Sequence, residues 1–258
     1  MTPPPADRAL LDEAVEVARA AGASTLRWFR SADLAVDRKG DGTPVTVADR
    51  GAERMIREHI AAHHPDDEIV GEEEAPTPGT SGRRWTIDPI DGTKAFTQGV
   101  PLYTTLLAVD DEHGPAVGVI DLPALGETVY AGRGLGCFCN GEVARVSDRD
   151  EVAGSYLTTS GFDYWPEDLL LAARRSGFVL RTWGDGYGYA LVATGRAEAM
   201  VDPSVQPYDV APMPVILTEA GGRFTDHAGV ERVDGGTGVA TNGRLHAAAL
   251  DLLSRSRQ

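Results

Sequence analysis

The sequence predicts a mixed fold, with an α+β first half and an α/β second half. Three observations carry this. Two amphipathic helical stretches open the chain, three β-rich runs broken by Gly and Pro follow between residues 102 and 132, and strand and helix patterns alternate from residue 155 onward. With 258 residues, 42% of them hydrophobic, there is enough apolar material for one large domain or two closely packed halves. We place the division at 1–140 and 141–258.

After a Pro-rich leader, residues 7–30 read as the first helix, because Leu10, Ala14, Val17 and Ala21 repeat at helical spacing. The turn-rich "RKGDGTPVT" leads to a second helix, "ADRGAERMIREHIAAHH", whose apolar side is Ala52, Ile56 and Ile60. Thr46-x-x-Asp49 has the form of a capping box at its start. "DEIVGEEE" is a short strand entering an acidic loop, "APTPGTSG" a surface loop, and "RRWTID" a strand. "LYTTLLAVDD", "PAVGVIDLP" and "ETVYAG" form an antiparallel meander. In the second half, "SYLTTS" and "FVLRTW" are strands around the helix "PEDLLLAARRSG". "GYGYALVATG" is a helix, "AEAMVD" a strand, and "YDVAPMPVILTEAGG" a helix closed by glycine, which Pro212 and Pro214 kink or delay. "RFTD" and "GVATN" are strands, and "RLHAAALDLLSR" is the last helix.

Lys plus Arg is 24 against 39 Asp plus Glu, a net charge of −15, which argues against nucleic-acid or anionic-membrane partners. Cys137 and Cys139, spaced i, i+2, suit neither a zinc knuckle nor a disulfide and read as reduced thiols. With no signal-like leader and no run near the ~20 apolar residues that span a bilayer, the expected setting is the cytoplasm.

The chemistry concentrates in "DPIDGT", residues 88–93. A strand ends at Asp88, Pro89 stiffens the backbone, and the turn presents Asp88 and Asp91 to one point with the Ile90 carbonyl between them. Two carboxylates so close repel unless a cation sits there, and Mg²⁺ takes such oxygen ligands. Gly92 and Thr93 follow at a helix start, where free N–H groups favour a phosphate. Glu72 of "GEEE", Asp49 and Asp209 also lie at element ends, so a multi-metal carboxylate cluster is expected.

In this order and spacing, "GEE", "DPIDGT" and "PYDVA…TEAGG", with "TPVTVAD" and "GRGLGCFCNG", resemble the inositol monophosphatase family over almost the whole chain. The resemblance implies a five-layered αβαβα sandwich, a homodimer, and up to three Mg²⁺ in each active site. By position it makes Glu72, Asp88, Asp91, Asp209 and the Ile90 carbonyl metal ligands. Asp49 and Thr93 become the pair that activates water, and the Gly92 and Thr93 N–H groups become phosphate binders. One departure is Tyr208 before Asp209, where the family most often has Trp.

For the leaving group, "RTWGDGYGYALVATGRAEAMVDPSVQPYD" is most similar to the histidinol-phosphatase branch. Asp185 and Asp202 suit the ammonium and imidazole of histidinol phosphate, and Lys94 also stands at the substrate. An inositol monophosphatase, a broader sugar or nucleotide phosphatase and an inactive metal-binding relative are the alternatives. His59 and His63 are i, i+4 on a helix with no third ligand in the pattern, and read as a solvated face. Trp28, Trp165 and Trp183 read as packing residues, with Trp183 near Asp185. Ser155 and Ser160 lack a Gly-x-Ser-x-Gly context, so serine-hydrolase chemistry is not expected.

Overall fold

The computed structural model describes residues 3–40 and 42–254. Met1 and Thr2 of the leader, Asp41 of the turn-rich segment and Arg255 of the last expected helix lie outside them. The elements in chain order begin with α1 (Arg8–Thr25), β1 (Val36–Arg38), β2 (Pro44–Thr46), α2 (Val47–His63), β3 (Glu68–Gly71), β4 (Arg84–Asp91) and α3 (Thr93–Thr97). The meander follows as β5 (Thr104–Asp111), β6 (Gly114–Leu122) and β7 (Glu127–Gly132), extended by β8 (Gly136–Cys139) and β9 (Glu142–Val143). The second half runs β10 (Tyr156–Thr158), α4 (Glu167–Arg175), β11 (Val179–Arg181), α5 (Asp185–Ala193) and β12 (Ala199–Asp202). It ends with α6 (Pro207–Val210), α7 (Met213–Ala220), β13 (Arg223–Thr225), β14 (Gly238–Thr241) and α8 (His246–Ser254).

Two sheets organise the molecule. A seven-stranded sheet runs in the order β3-β4-β5-β6-β7-β8-β9, parallel at β3/β4 and antiparallel elsewhere. A five-stranded sheet has the order β11-β10-β12-β14-β13. Strand alternation then assigns the layers. Trp85, Ile87, Leu107 and Val119 point to one face of the large sheet and pack against Leu11, Ala14, Ile56 and Ile60 of α1 and α2. Leu106, Ile120 and Val129 point to the other face, where Ala190 of α5 and Ile216 of α7 meet them. Met200 and Ala240 close that layer from the small sheet, whose opposite face, Ala199, Val201 and Val239, is covered by Leu169 of α4 and Ala249 of α8. The order is helices, sheet, helices, sheet, helices, which is the αβαβα sandwich.

Four local details differ from the sequence reading or add to it. The expected helix over 208–222 is two helices, α6 and α7, because a proline ring at 212 cannot continue the α6 hydrogen-bond ladder. Pro212 instead caps α7, and Gly221, at φ 88°, closes it. "GCFCNG", to which the sequence pattern assigned no element, holds a hairpin: β8 and β9 pair over Asn140-Gly141, both at positive φ (50° and 90°), as a two-residue hairpin turn requires. The turn-rich segment before α2 also holds a two-stranded ribbon, β1 with β2. The first helix ends at Thr25 rather than at residue 30.

Candidate active site

The cleft of about 550 Å³ that holds the acidic residues lies beside the end of β4. Alternation along a strand would send Asp88 and Asp91, three apart, to opposite faces. They do not diverge, because the pairing of β4 with β5 shifts register between them. The bulge at Pro89-Ile90 reverses the parity, so both carboxylates face the cleft while Ile90 packs into a cluster with Phe96 and Tyr103. Pro89 suits the bulge because it lacks the N–H a ladder position would waste, and its carbonyl accepts from Thr105 Oγ1 at 2.9 Å. The expected turn is therefore a bulged strand.

Asp209 reaches the same place from α6. Its Oδ2 accepts the Gln206 N–H at 2.8 Å in a capping box, which fixes the carboxylate. Asp88, Asp91 and Asp209 bring one oxygen each to within 4.8 Å of one another. Burial, with mutual repulsion among these groups, Glu72 and Asp185, raises all three above the usual carboxylate range, Asp209 to about 7. Glu72 lines the cleft outside that trio. Burial also raises it, against the pull of Lys39, whose Nζ lies 2.6 Å from Glu72 and 2.7 Å from Glu73.

Asp49 is fully buried at the start of α2, and the capping box is present: Oδ2 accepts from the Thr46 N–H at 2.8 Å and the Thr46 hydroxyl at 2.6 Å. Its Oδ1 has no partner. Thr93 donates its hydroxyl to the Ile90 carbonyl at 3.0 Å, and no hydrogen bond joins it to Asp49. Gly92 caps α3 at φ 84°, and a Cβ there would stand 2.9 Å from Asp185 Oδ2, so conformation and space both demand glycine.

Of the three residues expected at the substrate, Asp185 and Lys94 line the cleft and Asp202 does not. Lys94 Nζ donates to the Tyr164 hydroxyl and lies over its ring, with Asp185 and Asp163 adding to the charge around it. Asp202 leaves β12 toward α5 and is 3% exposed. Its carboxylate accepts from Ser160 N, Ser160 Oγ, Thr159 Oγ1 and the Tyr189 hydroxyl. It holds the 159–160 segment in place beneath the cleft, a role its sequence position before Asp209 did not reveal.

The structure adds residues that the motifs passed over. Ser160 lines the cleft, where its Oγ accepts the Asp185 N–H at 2.9 Å, so it is a positioning residue rather than a nucleophile. The Gly186 N–H donates to Asp91 Oδ2, and a Cβ at Gly186 would fall 2.3 Å from Thr104 Oγ1. The "DGYG" glycines were the signal for that close approach.

The donor set suits a hard divalent cation. Three clustered carboxylates are raised by burial and by the repulsion of neighbouring carboxylates, and Asp88 Oδ1 is buried with no hydrogen-bond partner, as an oxygen meant for a metal would be. The sequence profile of the inositol monophosphatase family matches residues 7–258. The chain belongs to the inositol monophosphatase family. It is thus a phosphomonoesterase. Among its relatives in that family, a histidinol-phosphatase of Chlorobaculum parvum is 43% identical over 238 residues, covering 90% of this chain and 91% of that one. A histidinol-phosphatase of Mycobacterium tuberculosis is 36% identical over 255 residues, 95% of each chain. The solved extragenic suppressor protein suhB of Bartonella henselae superposes with a TM-score of 0.88 at 29% identity, covering 95% of this chain and 98% of that one.

Proposed function

We propose that the chain hydrolyses L-histidinol phosphate to L-histidinol and phosphate with Mg²⁺, a step of histidine biosynthesis. The observation that carries this is the placing of Asp185, a carboxylate that could meet an ammonium or imidazolium, in the same cleft as the cation-binding trio. The relatives named histidinol-phosphatase support the choice of substrate.

Asp88, Asp91, Asp209, Glu72 and the Ile90 carbonyl would hold the Mg²⁺. Bound there, Mg²⁺ supplies positive charge to the phosphate and lowers the pKa of water. The backbone N–H groups of Gly92 and Thr93, at the mouth of α3, take phosphoryl oxygens. Asp49, with Oδ2 locked by Thr46, offers Oδ1 as the oriented base for the attacking water. Thr93 orients that water once its hydroxyl leaves the Ile90 carbonyl. Asp185 and Lys94 face the rest of the substrate, and Asp202 keeps Ser160 and through it Asp185 in position. A homodimer follows the family resemblance, and a cytoplasmic setting suits the two free thiols.

The test is phosphate release at fixed Mg²⁺ from histidinol phosphate, inositol 1-phosphate, fructose 1,6-bisphosphate and 3′-phosphoadenosine 5′-phosphate, compared by kcat/KM. A lead of about a hundredfold for histidinol phosphate, roughly 2.7 kcal/mol, supports the assignment. A flat profile, or inositol 1-phosphate ahead, removes it and leaves the phosphomonoesterase standing.

A further inference from the structure

Among the described residues, one other group of His, Cys, Asp and Glu brings its donor atoms within 4.8 Å of one another: Glu13, His59 and His63. None of the three lines the cleft. His59 and His63 lie one turn apart on α2, with ring centroids 4.2 Å apart. The packing of α1 on α2 supplies the third donor that the sequence pattern lacked, since Glu13 Oε1 lies 2.7 Å from His59 Nε2.

The surroundings arrange these groups for a metal. His63 Nδ1 contacts the His59 carbonyl at 2.9 Å. A carbonyl only accepts, so Nδ1 carries the proton and Nε2 keeps the lone pair a metal needs. His64 Nε2 stands 3.0 Å from Glu13 Oε2, while its Nδ1 faces the Arg83 guanidinium at 3.5 Å. Arg83 only donates, so His64 keeps its proton on Nε2 and gives it to Glu13, orienting the carboxylate as outer partners of metal ligands do. Burial alone would raise the Glu13 carboxyl, but its bonds to His64 and His59 outweigh that and hold it below the usual range. Two imidazoles and a carboxylate favour a borderline cation over Mg²⁺, which prefers an all-oxygen shell. Neighbouring ligands around tetrahedral zinc stand about 3.3 Å apart, and because the His59 and His63 rings are stacked at 24°, one ring turns about its side-chain bonds for both lone pairs to meet one ion. Glu13 and His59 are half-buried and His63 is exposed, which leaves room for a water in the fourth position.

We propose that Glu13, His59 and His63 form a Zn²⁺ site that clamps α1 to α2, separate from the carboxylates of the cleft. The ion takes the place of the proton shared by His59 and Glu13. The test is Zn²⁺ binding by equilibrium dialysis in saturating Mg²⁺, on the wild type and on His63→Ala and Glu13→Gln. Both variants keep the cleft carboxylates, so any Zn²⁺ taken up there cancels in the comparison. The expected result is one more Zn²⁺ per wild-type chain than per variant chain, a loss of affinity of at least tenfold in either variant, and a Zn²⁺-dependent rise in melting temperature larger in the wild type than in either variant. Equal uptake and equal melting shifts in all three proteins would overturn the proposal.

Discussion

Glu53 and Asp88 are both carboxylates removed from water, and their surroundings treat them in opposite ways. Glu53 on α2 is 0% exposed and fully supplied: Oε1 accepts from Arg57 Nε at 2.7 Å and Glu74 N at 3.0 Å, and Oε2 from Glu73 N at 2.8 Å. The chain even reserves space for it, since a Cβ on Gly71 would stand 2.1 Å from Oε1. Asp88, 2% exposed, has one oxygen with no partner and carboxylates for neighbours. A buried charge with donors holds a fold together, whereas one left without them is kept for a ligand. Asp49 and Asp209 stand between these cases. Each uses one oxygen to cap its helix and so fixes the direction of the carboxylate.

The largest effect expected from this contrast is on activity. Asp91→Asn should lower kcat by a thousandfold or more, about 4 kcal/mol on the barrier, with metal-free thermal stability unchanged or raised because a repulsion is removed. Near-normal turnover would break the distinction. Glu53→Gln should do the converse. It leaves Arg57, only 8% exposed, short of a counter-charge, and should cost about 3–5 kcal/mol in urea unfolding while kcat per folded molecule holds. Gly186→Ala sharpens the comparison, because the new methyl presses on Thr104 and Asp91 from behind. A shift of the Asp91 carboxylate by an ångström should cost about a hundredfold in kcat, while the crowding costs about 1–3 kcal/mol in stability. The smallest effect is Asp185→Asn, which should weaken kcat/KM about tenfold for an amine-bearing substrate and less for a neutral one. Equal losses on both would count against Asp185 as the ammonium partner.

The meander, both amphipathic helices and the alternating second half were legible in the sequence because each has a period that local physics enforces. The break between α6 and α7 was half legible, in that Pro212 announced a disturbance and only packing decided where α7 begins. The β8–β9 hairpin was announced only by "NG", since strands of four and two residues are too short to show an alternating pattern. Of those, Cys137 is buried, which pushes its thiol up to about 12. In the cleft, Asp88, Asp91 and Asp209 stood out by their density. The parity reversal at Pro89-Ile90 did not, because a bulge is fixed by how the partner strand pairs. Asp202 shows the limit of reading by position: seven residues before Asp209, it points into the α5 packing instead of the cleft, a direction set by strand alternation and the neighbouring Tyr189. Ser160 was legible only as a missing motif, since its task is to hold other side chains.

The most direct test of the account is thermal unfolding of the wild type and of Asp209→Asn across a Mg²⁺ titration. If the clustered carboxylates of Asp88, Asp91 and Asp209 are a cation site, wild-type protein at a hundred times Kd gains about 2.7 kcal/mol, a rise of roughly 5–10 °C in melting temperature. Asp209→Asn should lose most of that rise. Wild-type and variant curves that shift alike, or a wild type indifferent to Mg²⁺, would contradict the claim that these carboxylates are kept for a metal.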